Sequence, residues 1–145
     1  MDWWIKLDFF FVSLLLLYIA WKDITTRIIS HFSLLMLISL FIPLFIMQEK
    51  MPNIAAAFIV FILCFILFMF HTMGGGDVKL LTILSLAFFN SFLLTFLITT
   101  LLFGGVIAIV GLIAFRRSTL DHGVPYAVAM SLAFILIYPT TIAVQ

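Results

Sequence analysis

Six long apolar blocks, separated by short polar or glycine-rich segments, dominate the chain. They run from about Ile5 to Trp21, Phe32 to Met47, Ile54 to Phe70, Val78 to Phe89, Phe92 to Phe115 and Val124 to Ala143. A helix that crosses a hydrocarbon core of about 30 Å needs roughly 20 apolar residues, or about 17 at the short end. Five of the blocks meet or approach that length. The fourth covers only about 18 Å at the helical rise. It is expected either to start below the membrane surface, with its glycine-rich lead-in dipping inward, or to cross only in part before the Asn90-Ser91 turn. Irregular backbone at such depth is stable only against protein or a water-filled cavity. The pattern predicts an all-α, polytopic membrane helix bundle of about six transmembrane helices with a short fourth one.

Composition agrees. Of 145 residues, 66% are hydrophobic and 9% charged, where soluble domains hold about 45–50% and about 25%. Residues 1–145 show no internal repeat or low-complexity linker and read as a single domain. A net charge of +1 gives no footprint for nucleic acid. The first block resists reading as a cleaved signal: Asp2 and Asp8 precede it with only Lys6, and Trp21-Lys22-Asp23 follows it instead of small residues. Trp3, Trp4, Tyr18 and Trp21 bracket it as interface anchors. The 18 phenylalanines read as packing and lipid-facing residues, and Pro43 and Pro139 as tolerated kinks. Cys64, the single cysteine, reads as a small buried hydrophobe.

Charge in the short connections sets an expected orientation. Lys22, Arg27, Lys79, Arg116 and Arg117 fall on one face, and only Lys6 and Lys50 on the other. The basic excess predicts that the first face is cytoplasmic and both termini outside. Asp2, Asp8 and Glu49 are then outer, headgroup-level charges. Asp23, Asp77 and Asp121 lie on the cytoplasmic side, Asp23 just past the inner end of the first block. Asp77 closes Gly74-Gly75-Gly76-Asp77 and opens the short fourth block. An ionisable group beside an apolar run is expensive unless it faces a cavity or a partner. The three glycines accept positive φ and let another backbone approach. The alternative is a flexible hairpin with Asp77 as helix cap. A phosphate loop lacks its Gly-x4-Gly-Lys-Ser/Thr pattern.

Two carboxyl groups at one depth suggest an acid–base pair. If they meet, one keeps a proton while the other stays charged and polarises water, as amide hydrolysis requires. Two other readings compete. His31, His71 and His122 share the acids' side and suggest a metal-dependent membrane hydrolase, although no tight ligand spacing supports one and no metal or cofactor is expected. A small transporter or assembly factor would call for acids near mid-membrane and symmetry between halves, neither of which is present. Arg116 and Arg117 read as topology signals, and Asp121 as a loop charge or cap.

Gly74-Gly75-Gly76-Asp77-Val78-Lys79-Leu80 resembles the Gly-x-Gly-Asp motif of the membrane aspartic prepilin peptidases, the type IV leader peptidase family. Asp23-Ile24-Thr25-Thr26-Arg27-Ile28-Ile29 is similar to the segment carrying that family's first catalytic aspartate. Val124-Pro125-Tyr126-Ala127 resembles the Pro-aromatic opening of its last helix. The resemblance implies catalysis by Asp23 and Asp77. Gly74, Gly75, Gly76, Lys79, Pro125 and Tyr126 are then substrate-binding or structural motif residues. The implied partners are the lipid bilayer and a pilin-like precursor, a short basic leader joined to an apolar stem and cut on the cytoplasmic side just before that stem. Larger members carry paired Cys-x-x-Cys motifs and a methyltransferase activity. This chain, with one cysteine, resembles the minimal branch of tight-adherence (Flp) pili, and no methylation is expected. Ile29-Ser30-His31 departs from the Ile-Pro-Asn often found there. Oligomeric state is left open.

Overall fold

The computed structural model describes residues 3–144; Asp2, read above as a headgroup-level charge, lies outside them. Among the described residues seven helices follow in order: α1 (Trp3–Thr26), α2 (His31–Met47), α3 (Ile54–Met69), α4 (Gly75–Ser85), α5 (Asn90–Ala114), α6 (Arg116–His122) and α7 (Tyr126–Ala143). Helices α1, α5 and α7 are long and apolar enough to cross a membrane, and α2 and α3 are shorter apolar helices. The chain forms a helical membrane bundle. Helix α6, inside the Arg116–Gly123 loop, is an addition to the expected elements, and its residues are not buried.

Helix α7 is the axis. It packs on α1, α4 and α5, while α2 joins α1 and α4, and α3 joins α4. Its buried residues include the small Ala127, Ala129, Ser131 and Ala133, and small residues let neighbouring apolar helices approach. Ser131 Oγ donates to the Leu16 carbonyl at 3.2 Å. One turn on, Phe134 and Tyr138 stack with centroids 4.9 Å apart. Phe88 and Phe96 stack beside them at 4.5 Å. Trp3, Trp4, Tyr18 and Trp21 are all exposed, as expected of interface anchors. Cys64 is buried and free.

The short fourth element is shielded. Helix α4 has 11 residues, about 16 Å at the helical rise, and lies among α2, α3 and α7. Residues 86–89 form an irregular turn after it, in which Ala87 and Phe88 are buried. Asn53, before α3, satisfies that turn: its N–H donates to the Leu86 carbonyl at 3.0 Å and its Nδ2 to the Phe88 carbonyl at 3.0 Å. The non-helical backbone is thus paired with protein, as its burial requires.

Three expectations need correction. Asp23 does not lie past the first helix: α1 runs on to Thr26, and Asp23 is buried on it. The glycine run does not use positive φ, which among the described glycines occurs only at Gly123. Asp8 is not a freely solvated charge, because its Oδ2 is buried without a hydrogen-bond partner.

Candidate active site

At one rim of the bundle the ends of α1 and α3 meet the starts of α4 and α7. Asp23, three residues from the end of α1, is 6% exposed. One of its carboxylate oxygens accepts the backbone N–H of Ala127 at 3.2 Å, 104 residues away in sequence. Ala127 lies in the first turn of α7, whose preceding residue is Pro125-Tyr126's proline, and no side chain from its own segment caps that helix. Asp23 therefore supplies the missing acceptor and sits at the positive end of the α7 dipole.

Asp77 lies in the first turn of α4, with Gly74 as the N-cap. It is not the cap itself. Its carboxylate turns back toward the Gly74 amide, the direction taken by the acid of a capping box. The glycines matter through their missing side chains. A Cβ on Gly74 would lie 3.3 Å from Asp77 Oδ2, and one on Gly76 only 3.1 Å from Ile29 Cβ. On Gly75 it would meet Phe68 at an ordinary 3.5 Å.

Two open cavities, about 240 and 350 Å³, flank this rim, and Asp23, Arg27, Gly74 and Asp77 line both. The two aspartates that lie 54 positions apart in sequence are thus brought together. Gly75, Gly76, His31 and Lys79 line the smaller cavity; His71, His122 and Tyr126 line the larger. Asp77, in the first turn of α4 ahead of its apolar residues, has its carboxyl pushed up to about 7. Burial is the main cause and the neighbouring Asp23 charge the second, while the Gly74 amide and Arg27 pull the other way.

Other residues fall differently. Lys79 Nζ is 2.8 Å from His31 Nε2, so that ring nitrogen accepts and the lysine is engaged with the histidine. Pro125 borders a separate apolar cavity between α1 and α5, and Asp121 is exposed on α6. Although the three histidines reach the rim, no group of three or more His, Cys, Asp or Glu among the described residues is placed to hold a metal ion. The metal-hydrolase reading thus finds no ligand set there.

Sequence places Arg27 among the inner-face charges. It follows α1 in the left-handed region, φ 55°, and its Nη1 is buried without a hydrogen-bond partner. Nothing in the sequence pattern separates it from Lys22; only the backbone reversal after α1 turns it inward.

The type IV leader peptidase family matches residues 10–109, a stretch that includes both aspartates and the glycine run. The chain belongs to that family. It is a leader-peptidase-type protease embedded in a membrane. Pro125 and Tyr126 lie beyond the matched residues. No curated protein and no solved structure matches the chain.

Proposed function

We propose that this leader peptidase is an aspartic endopeptidase in which Asp23 and Asp77 act together on one water. The observation that carries the reading is that both rim cavities are lined by both carboxylates, with Asp77 held near neutrality by burial and by Asp23. Asp23, facing the Ala127 N–H, is the member suited to stay ionised. Asp77 is suited to hold the shared proton.

In the reaction, the ionised carboxylate takes a proton from water as its oxygen bonds to the scissile carbonyl carbon. The protonated carboxyl gives its proton to the carbonyl oxygen. The resulting gem-diol then collapses: one hydroxyl returns a proton to the carboxylate that had given its own, its C=O forms as the C–N bond breaks, and the leaving nitrogen receives the proton taken from water. Gly74 and Gly76 keep the approach to Asp77 free of side chains.

The proposed substrates are pilin-like precursors of the Flp type, cut at the cytoplasmic face just before the apolar stem. Lys22, Arg27, Lys79, Arg116 and Arg117 cluster by chain position at the ends of helices nearest the acids, which supports a cytoplasmic rim and outer termini. A single buried cysteine supports a member without methylation chemistry. Placement of both acids at one rim argues against an ion path across the bundle.

Co-expression with a pilin-like precursor, scored by gel shift for leader removal, tests the reading. Wild type removes the leader, and Asp23→Asn and Asp77→Asn each abolish cleavage while still accumulating folded in the membrane. Cleavage by both single variants rejects the pair.

A further inference from the structure

The peptidase needs a place for the apolar part of its substrate, and two apolar cavities adjoin the rim. One, about 380 Å³, lies between α1 and α5 and shares only Arg27 with the acid cavities. The other, about 270 Å³, lies between α3 and α5 and shares Thr72, Met73 and Tyr126 with the larger acid cavity. Its floor is buried Cys64, Leu81, Thr100 and Met130, and its lips are exposed Leu67 and Leu101. The Thr100 hydroxyl donates to the Phe96 carbonyl at 2.8 Å, so the floor offers no free polar group there. Helix α5 packs on α7 and α6, with no comparable packing on α3. A gap edged by exposed Leu67 and Leu101 therefore adjoins the cavity of the carboxylates, with Thr72, Met73 and Tyr126 in the wall of both.

We propose that this α3–α5 slot receives the hydrophobic stem of the precursor while its polar leader lies across the acid cavity. The proposal rests on the peptidase reading above. A segment whose scissile bond sits between Asp23 and Asp77 has to pass at once from a polar to an apolar surface. Tyr126 stands at that boundary, lining both cavities, and is held in place where its ring fills the side of Gly104; a Cβ there would lie 3.1 Å from Tyr126 Cε1. A helix is about 10–12 Å across with its side chains, so the stem rests on Leu67 and Leu101 and inserts one face between them. Acyl chains would also fill an apolar gap, but they give no reason for its continuity with two carboxylates.

The exposed lip makes the proposal testable: Leu101→Cys is placed in a Cys64→Ala background, which removes the chain's one, buried cysteine. In membranes, the uncleaving Asp77→Asn variant carrying both changes is mixed with a precursor carrying a single cysteine in the first two turns of its stem, then treated with a short bismaleimide. The expected result is an adduct at position 101, displaced by excess cysteine-free precursor. It is lost when Leu101 is kept and not restored by Val110→Cys, which labels the α1–α5 cavity. An adduct only with Val110→Cys, or none with Leu101→Cys, overturns the slot. In the otherwise wild-type enzyme, Leu101→Trp narrows the lip and raises KM by about tenfold, the order set by apolar pocket contacts. Val110→Trp leaves KM as it was. An unchanged KM in Leu101→Trp also overturns the proposal. The two readings fail separately: a wild-type enzyme that leaves the precursor whole defeats the peptidase reading and the slot with it, whereas wild-type cleavage with an unlabelled Leu101→Cys variant defeats the slot alone.

Discussion

Gly76 and Ile29 are pressed together at the rim, so that a Cβ added to the glycine would stand 3.1 Å from Ile29 Cβ. Ile29 is itself buried, between the end of α1 and the start of α2. The contact ties the Asp23 segment to the first turn of α4. Gly76→Ala is expected to push the two apart, at a cost of about 1–3 kcal/mol for overpacking, and to slow cleavage. Gly75→Ala meets only ordinary contact with Phe68 and, at the first position of α4, should leave stability nearly unchanged. Thermal unfolding in detergent, with a cleavage assay on the same preparations, separates the neighbours. Equal behaviour of the two variants would refute the close approach.

The Asp77 proton sets a second expectation. With its pKa raised from 3.8 to about 7 by burial and Asp23, the acid member of the pair is protonated below about pH 7 and loses its proton above it. Cleavage should fall as pH rises through about 7. Linkage has the same sign. The folded state holds a proton that the unfolded chain has released, so the contribution of Asp77 to stability is full below about 3.8 and lost as pH rises through about 7. Asp77→Asn should unfold with a flatter pH dependence than wild type over that window. A wild-type cleavage rate that climbs between pH 7 and 9 would contradict the assignment.

Asp23 serves structure as well as chemistry, and two substitutions divide the roles. Asparagine keeps an oxygen for the Ala127 N–H, so Asp23→Asn should lose cleavage and keep most of its stability. Asp23→Ala also leaves the start of α7 uncapped and should cost about 1 kcal/mol more. Chemical denaturation of both in the same detergent reads the difference. Equal stability would mean that the Ala127 contact contributes nothing.

Periodicity and hydropathy made the bundle legible, because every span has to be apolar over its whole length. The bounds of α2 and α3 follow the apolar blocks closely: Ser30 and Asn53 cap them with side-chain bonds to Phe32 N and Ala56 N. Helix α4 was harder to read, because its apolar run continues through Ala87 and Phe88 after the helix has stopped; hydropathy registers burial and not backbone shape. The Gly74–Asp77 segment stood out in sequence, yet the function of its glycines did not. Their φ angles are ordinary, and the need for glycine comes from Ile29 and from the Asp77 carboxylate, which only the folded chain brings near. Asp23 was visible as an acid at a helix end, but its partner Ala127 carries no side-chain signal at all. Arg27 was hidden for the same reason, since its inward turn depends on a backbone angle.

That angle gives Arg27 two separable effects. A non-glycine residue at φ 55° carries a cost of about 1–2 kcal/mol, tolerated because the turn aims the guanidinium into the cavities of both aspartates. Its positive charge lowers the Asp77 pKa against the larger effects of burial and Asp23. Arg27→Gln removes the charge and keeps the strained backbone, so the alkaline fall in cleavage should move to higher pH, because Asp77 holds its proton longer. Arg27→Lys restores the charge and should return the profile toward wild type. Arg27→Gly removes the charge and relieves the backbone; it should share the shifted profile of Arg27→Gln while unfolding later by about 1 kcal/mol. A merely structural arginine would alter stability in all three variants and leave the pH of the fall where it was. Cleavage rates from pH 5 to 9, each normalised to its own maximum, tell these outcomes apart.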